Sequence, residues 1–70
     1  MSGPRDRYHI CIYFESGDSD FVETASKKQV AFEIAQFQAN RPSVKYAQVF
    51  DTMAHKYNRF WWRIKRRNET

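Results

Sequence analysis

Cysteine is almost missing from this chain: Cys11 stands alone among 70 residues, so no disulfide closes within it. A tetrahedral structural metal site draws on closely spaced cysteines and histidines, and the histidines here, His9 and His55, stand far apart. A lone thiol in an apolar run reads as a small buried hydrophobe rather than a reactive group. Nothing in this usage calls for an oxidising compartment, and the cytoplasm is the expected location. Glycine is nearly as scarce: Gly3 and Gly17 cannot build a phosphate-cradling loop. No apolar run approaches the roughly 20 residues that cross a bilayer, so no membrane partner is expected. The first six residues, Met1 to Asp6, lack the apolar segment of a signal peptide and read as a short frayed arm. Repeats, linkers and low-complexity stretches are missing too.

Acid is missing from one place in particular. From Lys56 onward six basic residues face a single acid, Glu69, a net of +5. The first 55 residues hold six basic and seven acidic side chains, a net of −1. The positive charge of the protein therefore belongs to its C-terminal segment, and such asymmetry points to a partner carrying negative charge.

Aromatics are abundant, at 17% of the chain. They exclude a disordered composition and supply much of the burial that a small domain needs. Seventy residues make a single domain. A chain of this length buries only about 60% of its unfolded surface, so the core is thin. The ordered part is expected to run from about 7 to 66, with the N-terminal arm and a basic C-terminal tail flexible.

Residues 7 to 14 alternate with a period of two: Ile10, Ile12 and Phe14 share one face of a strand, His9, Cys11 and Tyr13 the other. The polar run from Glu15 to Asp20 contains Gly17, which can take a positive φ, and reads as a hairpin turn into a second strand, Phe21 to Thr24. Ser26-Lys27-Lys28-Gln29 has the form of a capping box. Val30, Ile34 and Phe37 follow at helical spacing, with Ala31 and Ala35 beside them, predicting an amphipathic helix over 27–39. Phe32 falls off this stripe. Asn40 suits a left-handed C-terminal position, and Pro42 forbids continuation. Ser43 to Asp51 reads as a third strand, with Val44, Tyr46 and Phe50 set against Lys45, Ala47 and Val49. The last strand runs from Tyr57 to about Arg66, with Phe60, Trp62 and Ile64 on one face and Arg59, Trp61, Arg63 and Lys65 on the other.

The order β-β-α-β-β predicts an α+β fold, a four-stranded antiparallel sheet with one helix packed on one face. Phe60, Trp62, Ile64, Ile10, Ile12 and Phe14 are expected to meet Val30, Ile34 and Phe37 under the helix. The uncovered face is where function is sought. It is expected to carry Arg59, Trp61, Arg63 and Lys65, followed by Arg66, with His9 and Tyr13 from the first strand and Lys45 from the third. Aromatics interleaved with cations suit bases and phosphates, and equally suit protein hot spots, where Trp, Tyr and Arg dominate. Trp61 packed against a second copy in a homodimer, or folded under the tail, is the purely structural alternative.

No catalytic constellation is legible, and the protein is read as a non-enzyme without cofactor or metal. One helix on four strands leaves little room for a dry concave pocket. A compact nuclease built on His9, His55 and Arg59 is the enzymatic alternative. Asp18, Asp20 and Glu23 cluster near the first hairpin but lack the twelve-residue ligand pattern of a calcium loop. Phe32 and Met53 are secondary contact candidates, with core filling the simpler reading of each.

The layout resembles small phage-encoded inhibitors of host defence, in particular compact type I anti-CRISPR proteins. The resemblance is carried by Phe21-Val22-Glu23-Thr24-Ala25-Ser26, a short strand running into a helix with Val30, Ile34 and Ala35. It continues in a closing hairpin, Tyr46 to Phe50 and Arg59 to Ile64, and extends over residues 8 to 66. It implies a bacterial cytoplasm and a host defence protein or ribonucleoprotein complex as partner. The implied action is occupation of a nucleic-acid-binding surface without catalysis. The basic run from Arg63 to Arg67 departs from a DNA mimic and points to acidic protein patches, or to DNA or RNA itself. A small nucleic-acid-binding accessory protein is the alternative function.

Overall fold

A computed structural model describes residues 7–54, 57 and 59–67. The chain folds as β1 (Tyr8–Phe14), β2 (Ser19–Ala25), α1 (Lys28–Ala39), β3 (Val44–Asp51) and β4 (Trp61–Lys65). The strands form one antiparallel sheet in the order β2-β1-β3-β4, with α1 laid across one face. This is the α+β architecture expected from the alternation of the strands and the helical spacing between them. The expected arm, the tail beyond Arg67, and His55 and Lys56 lie outside the described residues.

Gly17 takes the positive φ its turn requires, 101°, and the turn is closed by the Phe14 amide donating to the Asp18 carbonyl at 2.8 Å. Ile10 and Ile12 are buried on the core face of β1 as expected, Phe14 is partly buried against them, and Tyr8 on the same face is buried too. Val44, Ala47 and Val49 join them from β3.

The helix sits on the sheet in a different rotation from the one its largest residues suggest. Ala31, Ala35 and Ala39 form the buried stripe and are wholly inaccessible, whereas Val30 is 41% and Phe37 69% exposed. Phe37 lies two positions beyond Ala35, about 200° round the helix, and so points away from the sheet. The reason is steric: a row of methyl groups lets the backbone approach the sheet closely, while Phe32 and Ile34 reach down on either flank. Phe60, expected in the core, lies before β4 begins and is 56% exposed.

The helix ends also differ from expectation. No capping box forms; β2 continues to Ala25, paired with Tyr8, and the N-cap falls at the extended Lys27 with no side-chain cap. Ser26 is thereby one position too early to reach the first free amides. The helix ends on backbone bonds, the Asn40 and Arg41 amides donating to the Gln36 and Gln38 carbonyls at 3.1 Å, and Asn40 is right-handed, with φ −81° and ψ −6°. Its Oδ1 accepts from Gln36 Nε2 at 3.0 Å and from the Arg67 backbone amide at 2.9 Å. Arg67, assigned above to a flexible tail, is held against the end of α1 by that bond.

Arg7 and Asp51 staple the N-terminal end of β1 to the end of β3, a pairing that the sequence did not disclose. Arg7 Nε donates to Oδ1 at 2.7 Å and Nη2 to Oδ2 at 3.1 Å. The Asp51 carboxyl is held below its ordinary range by these bonds, against the opposing effect of its burial, and the Met53 amide adds to the lowering.

Candidate functional site

The face of the sheet opposite α1 is left open by every described element. Strand register sets three rows of side chains across it. The first contains His9, Phe50 and Trp61, paired in turn across β1, β3 and β4. The second contains Phe21, Cys11, Gln48 and Arg63, and the third Ser19, Tyr13, Tyr46 and Lys65. Trp61, Arg63, Lys65, Tyr13 and His9 therefore converge on this face as pleating predicts. Arg59 joins them from the segment before β4, its guanidinium carbon 6.0 Å from the Trp61 ring centroid.

Side chains on the open face stack on one another rather than standing apart. The Tyr13 and Tyr46 rings lie 4.8 Å apart at an interplanar angle of 28°. The Arg63 guanidinium is 4.6 Å from the Tyr46 centroid and 5.9 Å from that of Trp61. The result is a column, Tyr13, Tyr46, Arg63, Trp61, running from β1 to β4. At its far side Phe21 meets His9 edge-on at 6.1 Å. Stacking of this kind turns the faces of Tyr46 inward on its neighbours and presents ring edges to the partner side. The guanidinium is flanked by two aromatic neighbours, and a guanidinium meets a carboxylate or phosphate as a fork of N–H donors.

Burial raises the Tyr13 hydroxyl pKa, with Arg63 acting in the opposite direction. Burial likewise raises that of the Cys11 thiol, with Asp20 adding to the effect. Cys11 is a half-buried residue of the open face, paired across the strands with Phe21 and Gln48.

Two expected contact residues are placed elsewhere. Arg66 turns to the end of the fold, where Nη2 donates to the carbonyls of Arg41, Pro42 and Val44 at 3.1–3.2 Å. It ties the chain leaving β4 to the loop between α1 and β3. Lys45 is skipped in the β1–β3 register, which passes from Tyr13↔Tyr46 to Phe14↔Val44, and forms an exposed bulge at the rim. Of the secondary candidates, Phe32 packs edge-on against Trp62 at 5.4 Å on the helix side, and Met53 is exposed in the loop after β3.

Tyr46, Phe50 and Phe21 belong to the open face but were not among the expected contacts. The bulge at Lys45 breaks the alternation that would have kept Val44, which is buried, on one face with Tyr46 and Phe50, which are not. A second register shift, opposite Ile10 and Cys11, brings Phe21 beside Cys11. From Tyr46 to Asp51 the period of two is regular, and that was the signal available.

No protein-family model matches this chain, and comparison with curated proteins and with solved structures returns no match to either. The resemblance to phage-encoded inhibitors accordingly gains no relative in support, and the functional reading rests on the open face. Among the described residues no group of three or more His, Cys, Asp or Glu side chains is placed to hold a metal ion. No helix among them is long and apolar enough to cross a membrane.

Proposed function

We propose that this is a non-enzymatic binding protein that docks on an acidic patch of a partner protein through its open sheet face. The observation that carries the reading is the column in which Arg63 lies between Tyr46 and Trp61. Held this way, the guanidinium and indole lose little freedom on binding, and rigid Trp, Tyr and Arg anchors are the residues that concentrate interface energy. Arg59 and Lys65 flank the column and add charge that steers an acidic partner toward it.

In the class that the sequence resembles, such a protein inhibits a host defence complex by obstructing its nucleic-acid-binding surface. A cationic face does not imitate nucleic acid. Inhibition would proceed from an acidic patch beside the nucleic-acid channel, with the body of the protein blocking access. The alternative of direct single-strand binding is favoured by the cations of β4, but the inward-turned faces of Tyr46 leave a base fewer rings to stack on.

Capture from a bacterial lysate on immobilised wild type and on the Trp61→Ala/Arg63→Ala double variant, followed by calorimetry with the captured protein, tests this. Wild-type binding that the double variant loses is expected. Equal binding by both overturns the reading. Affinity for single-stranded DNA or RNA that falls with salt at a log–log slope near −0.7 per phosphate contact would favour the nucleic-acid alternative instead.

A further inference from the structure

The outer edge of β4 has its own binding chemistry. The Asp51 amide donates to the Phe60 carbonyl at 2.8 Å, so Phe60 sits in a hydrogen-bonded pair with β3. Alternation along an antiparallel ladder then turns the backbone groups of Trp62 and Ile64 toward β3 and those of Trp61, Arg63 and Lys65 outward. The Lys65 carbonyl fits this scheme, since Gln36 Nε2 donates to it from the helix at 3.0 Å. The outward amide and carbonyl groups of Trp61 and Arg63 face no other described strand.

Beside this edge, on the helix side, lies a groove of about 640 Å³ lined by Lys28, Phe32, Glu33, Gln36, Ile64 and Arg67. Its floor is apolar through Phe32 and Ile64. Lys28 stands over Trp62, its Nζ 4.6 Å from the ring. Among the described residues around edge and groove, the cations Lys28, Arg59, Arg63, Lys65 and Arg67 outnumber the acids Glu33 and Asp51, and Asp51 is already paired with Arg7.

From these we infer that β4 captures an extended acidic segment of a partner protein as a fifth strand of the sheet. The backbone of that segment pairs with Trp61 and Arg63. Its alternate side chains divide between two environments: acidic residues on the open-face side beside Arg63 and Lys65, and apolar residues in the groove against Phe32 and Ile64. Strand addition of this kind takes affinity from the main chain and specificity from alternate side chains. Charge decides the occupant: β4 of a second copy would set cation against cation, and the β2 edge carries a bulge that disfavours regular pairing. The inference rests on the protein-partner reading above and names the form of the segment recognised.

The probe is a capped synthetic peptide of about eight residues alternating valine and glutamate, long enough for one strand. Binding is followed by amide exchange and two-dimensional NMR on the full chain. The expected result is saturable binding with the Trp61 and Arg63 amides protected about tenfold or more, while those of Trp62 and Ile64, already paired, change little. A block peptide of the same composition, an alternating valine–lysine peptide and an N-methylated version should each fail to protect them. No shifts up to about 1 mM peptide overturn the inference, as does binding without protection of those two amides. Concentration-dependent self-association that protects the same amides without peptide also overturns it, by assigning the edge to a second copy. The Tyr46→Ala variant separates the two readings: it disrupts the open-face column, so loss of whole-partner binding with edge protection retained bears on the face alone.

Discussion

The guanidinium of Arg63 lies 4.6 Å from the ring centroid of Tyr46, a diagonal neighbour on the adjoining strand. Tyr46 is in turn stacked on Tyr13, so a cation on an edge strand is held in place by two central ones. Side-chain order on this face is thereby built before any partner arrives.

Loss of that order should weaken binding as much as loss of the charge. Arg63→Ala and Trp61→Ala are each expected to cost about 2 kcal/mol or more of partner binding, roughly 30-fold in affinity. Arg63→Lys should recover little, because an ammonium has neither the planar stack nor the fork. Tyr46→Ala, which removes no charge, should reduce affinity in the same direction. Calorimetry with the captured partner reads all four; full recovery in Arg63→Lys would assign the effect to charge alone.

The alanine stripe makes the helix intolerant of bulk on one side and indifferent on the other. Ala35→Leu should destabilise the fold by about 1–3 kcal/mol through overpacking against the sheet. Phe37→Ala, although it removes a large aromatic, should stay within about 0.5 kcal/mol of wild type. Urea denaturation of the two variants gives the comparison. The reverse ranking would mean that the helix sits in the rotation suggested by its large residues.

Acid should weaken the fold through Asp51. Its folded pKa is depressed by Arg7, so the unfolded chain takes up the proton first as pH falls. The stabilisation is fully present above the unfolded carboxylate value of about 3.9 and is lost as pH drops through the lower folded value. Asp51→Asn should therefore be less stable than wild type at pH 7, with the gap closing in acid. Urea midpoints across that range provide the check; a gap of constant size would place its origin outside ionisation.

Arg66 separates folding from binding. With its guanidinium on the carbonyls of Arg41, Pro42 and Val44, Arg66→Ala should lower the thermal midpoint and leave partner affinity intact. A variant with unchanged melting and weakened binding would return Arg66 to the contact surface.

Much of the fold was legible because regular alternation survives in β1 and β4, where a single period decides which residues face water. The open-face positions of His9, Tyr13, Trp61, Arg63 and Lys65 follow from that period. The helix was legible as an element but not in its rotation, since large apolar residues dominate any reading of a stripe while close packing selected the small ones. At Lys45 the extra residue of a bulge shifts the phase of β3, and nothing local to the sequence marks where such a residue falls.

The sequence by itself determined five elements, their order, the two-faced character of the first and last strands, and the concentration of positive charge near the C-terminus. These depend on local periodicity and composition, which neighbouring residues carry among themselves. Only the tertiary structure decided that alanines meet the sheet, that Arg66 holds carbonyls while Arg63 stacks on Tyr46, and that Arg7 finds Asp51. Those outcomes depend on which strands become neighbours and in what register, a relation between residues far apart in the chain.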